Sequence, residues 1–175
     1  SGKTTIAAAL QQYFLNDNTA CYVLTGDNYP HRIPMRNDEE RLNVYNESGE
    51  DGLRGYLGTP KEIDFDRINK ELSEFKAGKD IIEIKHMGRE DISYDETDFT
   101  GIKVLILEWT HGGSEYLKGV DIPVFLESSP EETKARRIKR GRDENAASPF
   151  ICRVVELEQE KLDLQGKNAR IVVGK

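Results

Sequence analysis

A doubly wound, mostly parallel α/β sheet with flanking helices is the fold class this sequence predicts, on three observations. The chain opens on Ser1-Gly2-Lys3-Thr4-Thr5, which runs straight into the helical segment Ile6 to Leu15. Short β-prone runs then alternate with amphipathic helical stretches, the pattern of strands laid parallel by crossover helices. Two of those runs end at acidic residues, Asp27 and Glu108, on the sheet edge where open α/β folds bind ligands.

Gly-Lys-Thr at the start of a helix is the second half of the phosphate-binding pattern G-x-x-x-x-G-K-[ST]. Backbone N–H groups and the positive helix N-terminus wrap a polyphosphate, Lys3 reaches its terminal phosphates, and the Thr4 hydroxyl becomes a ligand of Mg²⁺. Gly2, Lys3, Thr4 and Thr5 are therefore the nucleotide-binding candidates. The pattern's first Gly and the apolar strand that feeds the loop are expected upstream, outside these 175 residues.

With 37% hydrophobic and 33% charged residues, the chain suits one compact domain spanning 1–175. A net charge of −7 argues against a general nucleic-acid or anionic-membrane binder, which needs a dominant positive field. Cys21 and Cys152 stand far apart, outside any C-x-x-C spacing, so a zinc site or disulfide framework has no support and reduced cytoplasmic thiols are expected. No apolar run approaches the ~18 residues of a membrane span. The expected partner is a small-molecule substrate, with no nucleic acid and no membrane, and self-association is left open.

Ile6, Leu10 and Tyr13 or Phe14 recur at helical spacing and give the first helix one core-facing stripe, ending near Asn16-Asp17-Asn18. Cys21 to Leu24 reads as a strand running into the turn-rich Thr25-Gly26-Asp27-Asn28-Tyr29-Pro30. Asp27, just past that strand, is the candidate general base and metal partner, because a carboxylate there can take the proton of an acceptor hydroxyl. Capping of the turn is the plainer alternative for an Asp before Asn. Tyr29, His31 and Arg32 follow on a loop stiffened by Pro30 and Pro34, a mix suited to stacking on and hydrogen-bonding a small polar substrate.

Glu39 to Asn46 is predicted as a short helix and Ser48 to Thr59, rich in glycine, as a mobile connection. Phe65, Ile68, Leu72 and Phe75 form a helical stripe that stops at Lys76-Ala77-Gly78, with Gly78 suited to a left-handed cap. Asp80 to Ile84 reads as a strand and Lys85 to Thr100 as a polar excursion. His86, Arg89 and Tyr94 on that excursion are further substrate-binding candidates, although solvated loop residues are the commoner outcome.

Val104 to Leu107 is a continuous apolar run, as expected of a parallel strand covered on both faces. Glu108 ends it and is the candidate metal acid, and Trp109-Thr110-His111-Gly112-Gly113 follows as a tight, functional turn. Ile122 to Leu126 is a further strand. Ser129-Pro130-Glu131-Glu132 carries a full helix-start signature. The helix it opens concentrates Lys134, Arg136, Arg137, Lys139 and Arg140, with Arg142 just beyond. Part of that run must be a solvated face, but Arg137, Arg140 and Arg142 are candidates for converging on phosphates from a lid around 137–149. Ser148-Pro149 restarts a helix with Val154 or Val155, Leu157 or Glu158, and Leu162 as its stripe, and Arg170 to Val173 is a last strand.

These motifs resemble the uridine kinase and phosphoribulokinase group of phosphate-loop kinases, in a uridine-kinase-like bacterial branch. The similarity runs through Ser1-Gly2-Lys3-Thr4-Thr5, Asp27-Asn28-Tyr29, Asp64-Phe65-Asp66, Lys76-Ala77-Gly78-Lys79, Leu107-Glu108, Arg136-Arg137-Ile138 and Gly141-Arg142-Asp143. It implies the phosphate-loop (P-loop) NTPase fold, ATP or GTP with Mg²⁺, a catalytic Asp at Asp27 and a metal-associated acid at Glu108. It also implies an Arg-bearing lid and phosphotransfer to a hydroxyl of a small metabolite. A nucleoside such as uridine or cytidine is the first expected acceptor, and a sugar or sugar phosphate the second. The chain departs from the group where Trp109-Thr110-His111-Gly112 follows the acid. It departs again where Ile84-Lys85-His86-Met87-Gly88-Arg89 replaces the Pro-x-Tyr-Asp segment that helps hold the nucleoside.

Other nucleotide-binding classes fit less well. Asn69-Lys70-Glu71-Leu72 fails the Asn-Lys-x-Asp base motif of a GTPase at its last position, and the Leu-Ser-Gly-Gly signature of transporter ATPases is missing. A non-catalytic nucleotide-binding regulator has no need for Lys3, Asp27 and Glu108 together.

Overall fold

The structure, a computed structural model, describes residues 2–127, 148–167 and 169–174. Helix α1 (Lys3–Asn16) leads to strand β1 (Cys21–Thr25) and a 3-10 turn (Gly26–Asn28). Helices α2 (Pro34–Tyr56) and α3 (Phe65–Lys76) precede strands β2 (Ile81–Met87), β3 (Ile92–Asp98) and β4 (Val104–Glu108). Strand β5 (Val124–Leu126), helix α4 (Pro149–Gly166) and strand β6 (Ile171–Val173) complete the described elements.

Strands β1 and β4 pair in parallel, as do β5 and β6, while β2 and β3 form an antiparallel hairpin. Packing of the periodic stripes sets the core. Ile68 and Leu72 of α3 meet Leu24, Ile82, Ile84 and Phe99 in one buried cluster, and Leu53 and Leu57 meet Val154 and Leu157 of α4 in another. The Asp64 side chain caps α3 by accepting the Arg67 N–H at 3.1 Å. At the other end Gly78, at φ 74°, turns the chain in the left-handed region as expected.

Three expectations need correction. The glycine-rich stretch after Asn46 is not a loose connection: α2 continues to Tyr56, kinked at Gly49 with φ 64°. Burial of Leu53, Tyr56 and Leu57 holds those turns helical despite weak local propensity. The excursion from Lys85 is a hairpin whose second strand is nearly all exposed, so a backbone ladder holds it where no apolar alternation marks it.

The third correction concerns α1 and β4. A cavity of about 1290 Å³ lies between β4 and β5, lined by Ile6, Leu10 and Phe14 along with Val104 to Glu108 and Val124 to Leu126. The α1 stripe therefore faces open space: only Ala7 is buried in that helix, and Tyr13 is 68% exposed. For the same reason β4 is half-buried along its length, where full coverage is expected of it.

Candidate active site

Parallel register places Thr25 opposite Glu108, so the segments that leave β1 and β4 emerge side by side. Gly26 makes that possible. A Cβ there would lie 1.9 Å from Trp109 Cγ, so only glycine lets the first loop press on the indole of the second. Trp109 is buried and packs on Phe65 with ring centroids 5.6 Å apart. Beyond it the Ser114 N–H donates to the His111 carbonyl at 3.0 Å and closes the expected turn.

Asp27 stands exposed on the 3-10 turn and lines a smaller cavity of about 230 Å³ with Arg32, Asn37, Arg41, Glu62 and His111. Glu62 is 1% exposed and organises the floor. It accepts from Arg41 Nε at 2.6 Å, Asn37 Nδ2 at 3.0 Å and the Gly58 N–H at 2.6 Å. Burial raises its carboxyl pKa, but the Arg41 charge and these donors outweigh burial and hold it below the usual range. Arg41 also reaches Glu158 of α4 at 2.9 Å, which ties the two helices together beneath the cavity.

His111 is enclosed by a second close approach. Gly58 has φ 64°, and a Cβ on it would lie 2.8 Å from His111 Cε1. Burial pulls the imidazole pKa down to about 4; Arg41 and Lys161 push the same way, and Glu62 and Asp27 push against it. His111 Nδ1 and Asn37 Oδ1 are both buried and make no hydrogen bond among the described residues.

The phosphate-loop candidates gather at the other cavity. Lys3 and Glu108 line it, Thr4 and Thr5 are exposed in the first turn of α1, and Gly2 precedes that turn at φ 93°. Trp109 and Thr110 line both cavities and form the wall between them. Among the described residues no group of three or more His, Cys, Asp or Glu side chains could cage a metal ion. The Thr4 hydroxyl and Glu108 carboxylate are instead hard oxygen donors of the sort Mg²⁺ takes one or two at a time, with water and phosphate filling the rest.

The substrate-binding candidates separate. Arg32 lines the smaller cavity and lies 3.4 Å from Glu40, while His31 is exposed with Nε2 3.0 Å from the Pro60 carbonyl. Tyr29 is a correction: it is wholly buried, and its hydroxyl donates to the equally buried Glu71. Burial and that carboxylate push the phenol pKa up, so Tyr29 is a protonated core donor and offers no surface to a ligand. His86, Arg89 and Tyr94 sit on or beside the β2–β3 hairpin and line neither cavity. His86 faces Asp95 at 3.7 Å, and the Arg67 guanidinium stacks over the Tyr94 ring at 4.7 Å. Arg137, Arg140 and Arg142, and the lid as far as residue 147, fall outside the described residues.

Sequence reasoning missed Asn37, Arg41, Glu62 and His111. Only His111 carried a signal, its place in the turn after Glu108. Among the described residues no helix is long and apolar enough to cross a membrane.

No family model matches the chain. It is 75% identical over 177 residues to the bifunctional alpha-galactosidase/sucrose kinase AgaSK of Mediterraneibacter gnavus, an alignment covering 100% of this chain and 19% of that protein. The chain thus spans about a fifth of the length of that relative. Among solved structures it is similar to phosphoribulokinase from Rhodobacter spheroides, at TM-score 0.77 and 11% identity over 99% of this chain and 67% of that one. It is also similar to a possible uridine kinase from Bacillus stearothermophilus, at TM-score 0.64 and 18% identity over 98% of this chain and 81% of that one. The fold is that of the phosphate-loop kinases.

Proposed function

We propose that the chain is the phosphotransfer unit of a small-molecule kinase, moving the terminal phosphoryl group of ATP to a hydroxyl of a neutral sugar. The observation that carries this reading is the placing of Asp27 on one cavity and Lys3 with Glu108 on the next, with Trp109 and Thr110 as the shared wall. Lys3 and the N-terminus of α1 hold the phosphates, and Thr4 and Glu108 would hold Mg²⁺, which would supply positive charge beside the transferring group. Asp27 orients the acceptor hydroxyl and takes its proton as the oxygen attacks phosphorus. Arg137, Arg140 and Arg142 are proposed to stabilise the charge of the transferring phosphoryl group.

The acceptor preference follows from what surrounds Asp27. A nucleoside needs aromatic surface for its base, but Tyr29 is core and Tyr94 lies on the hairpin away from the cavity. A sugar phosphate needs surplus positive charge. The cavity offers the opposite, with carboxylates from Asp27, Asp38, Glu62 and Glu158 against guanidiniums from Arg32 and Arg41. At about 230 Å³ it is smaller than the ~300–1,000 Å³ of drug-sized ligand sites, so it takes one sugar ring and leaves the rest of a larger sugar outside. The name of the 75%-identical relative, which includes sucrose kinase, makes sucrose the first acceptor to test.

The test is to assay the full-length protein with ATP and Mg²⁺ against sucrose, monosaccharides, sugar phosphates, uridine and cytidine. ADP release is read above the background without acceptor, and the product is identified by ³¹P NMR. Turnover of a neutral sugar is expected. Turnover confined to nucleosides or to phosphorylated sugars, or none at all, would overturn the reading.

A further inference from the structure

A phosphoryl group that passes from the cavity of Lys3 and Glu108 to that of Asp27 crosses the wall between them. Trp109 and Thr110 are the residues that line both cavities, and the Trp109 indole is committed to the core, against Phe65 at 5.6 Å and Tyr29 at 6.3 Å between ring centroids. Thr110 therefore carries the polar side chain of the shared wall. It is half-buried, and its hydroxyl is neither sealed from solvent nor hydrogen-bonded among the described residues.

Strand register fixes where Thr110 stands. Thr25 and Glu108 are partners at the ends of the parallel pair. One residue on, Gly26 lies against Trp109, where a Cβ would come within 1.9 Å of the indole. One residue further along each segment come Asp27 and Thr110, so the candidate base and this hydroxyl leave the sheet in step, on chains already in contact. The indole, wedged between Gly26 and Phe65, anchors the backbone just before Thr110, and branching at Cβ restricts the rotamers open to the side chain.

A hydroxyl can donate to a phosphoryl oxygen without bringing a charge, and the bond strengthens as negative charge gathers on that oxygen. We infer that Thr110 is a catalytic residue, whose O–H donates to a non-bridging oxygen of the terminal phosphoryl group and holds the group in line with the acceptor hydroxyl at Asp27. The bond from the acceptor oxygen to phosphorus forms as the bond from phosphorus to the bridging oxygen of the departing ADP breaks. The acceptor's proton passes to Asp27, and Thr110 keeps its own. This rests on the phosphotransfer part of the reading above and not on which sugar is the acceptor.

Two variants of the full-length protein separate the hydroxyl from the shape of the side chain. Thr110→Val, nearly the same shape without the hydroxyl, should lower kcat about 10- to 100-fold on the sugar that wild type phosphorylates, with the sugar KM unchanged. Thr110→Ser, which keeps the hydroxyl and drops the methyl, should return kcat to within about fivefold of wild type. Calorimetry without acceptor gives an independent reading: a non-hydrolysable ATP analogue with Mg²⁺ should bind Thr110→Val roughly threefold more weakly than wild type, while ADP binds both alike. Melting temperatures of both variants should match wild type.

A kcat within twofold of wild type in Thr110→Val would overturn the inference. Equal impairment of the Val and Ser variants would overturn it too, by tracing the loss to packing, and so would equal weakening of ADP and the ATP analogue. Those outcomes leave the kinase reading standing. Absence of phosphotransfer to any acceptor in wild type overturns that reading, and this inference with it.

Discussion

Two histidines of this chain stand in regions of opposite character. His86 lies on the β2–β3 hairpin, half-exposed, with Asp95 across the ladder. His111 lies in the turn after β4, 7% exposed, in the wall of the cavity beside Asp27 and with its ring against Gly58. The sequence made His86 a substrate candidate and gave His111 no role, yet enclosure favours the second. Where solvent reaches a polar side chain, water satisfies it and nothing is selected. Where Gly26 and Gly58 let backbone close on the rings of Trp109 and His111, the neighbouring chain fixes each ring and the cavity wall with it.

The largest effect should come from the mouth of the cavity that His111 lines. Asp27→Asn keeps the shape of the 3-10 turn and removes the base, so kcat should fall ~10²- to 10⁴-fold, with nucleotide affinity changed little. Steady-state kinetics with ATP and sugar in excess read it. A loss under fivefold would return Asp27 to a turn cap.

Next is the joint between the two loops. Gly26→Ala drives a Cβ into the Trp109 ring and should cost ~1–3 kcal/mol of stability, with a matching loss of activity as the loops part. Gly55→Ala is the control: nothing lies within 4 Å of its Cβ, and the position is helical, so the change should be neutral or stabilising. Chemical denaturation of both variants reads the difference, and similar values for the two would dissolve the close-approach argument.

The pH dependence of stability should carry the mark of His111. Its imidazole holds a proton less readily folded than unfolded, so its contribution is complete above the ordinary pKa near 6.5. That contribution is lost as pH falls from there toward about 4. The groups around it are Glu62, Arg41, Lys161 and Asp27, and Glu62, held low, stays charged through most of that window. Relative to wild type, His111→Phe should gain on the order of 2–3 kcal/mol between pH 6.5 and pH 4. Parallel stability curves would show that His111 titrates normally.

Tyr29→Phe should cost ~1–3 kcal/mol, because it strips a donor from buried Glu71, and should leave the sugar KM as it was. A raised KM at full stability would restore Tyr29 as a substrate contact. The smallest effects belong to the hairpin. Ala at His86, Arg89 and Tyr94 should each stay within about 0.5 kcal/mol in stability, Tyr94 nearest that bound through its Arg67 contact, with kcat/KM within twofold. A tenfold kinetic loss at any of the three would move the substrate surface to the hairpin.

Local pattern alone determined a good part of this protein. The Gly-Lys-Thr opening of α1, the stripes of α3 and α4, the strands β1, β4, β5 and β6, and Asp27 and Glu108 after two strand ends all depend on residues within a few positions of one another. Helical period, capping chemistry and apolar runs report such neighbours directly. Tertiary structure decided the rest. Whether residues 47–56 are helical depended on α4, about 100 residues away in the chain, and the hairpin depended on a ladder with no apolar alternation. Tyr29 became core through α3 and Trp109. Asn37, Arg41, Glu62 and His111 come from four separate places in the sequence, and nothing in any one of them announces the others. Enclosure sums contributions from distant segments, and a period of 3.6 or 2 residues cannot carry that sum.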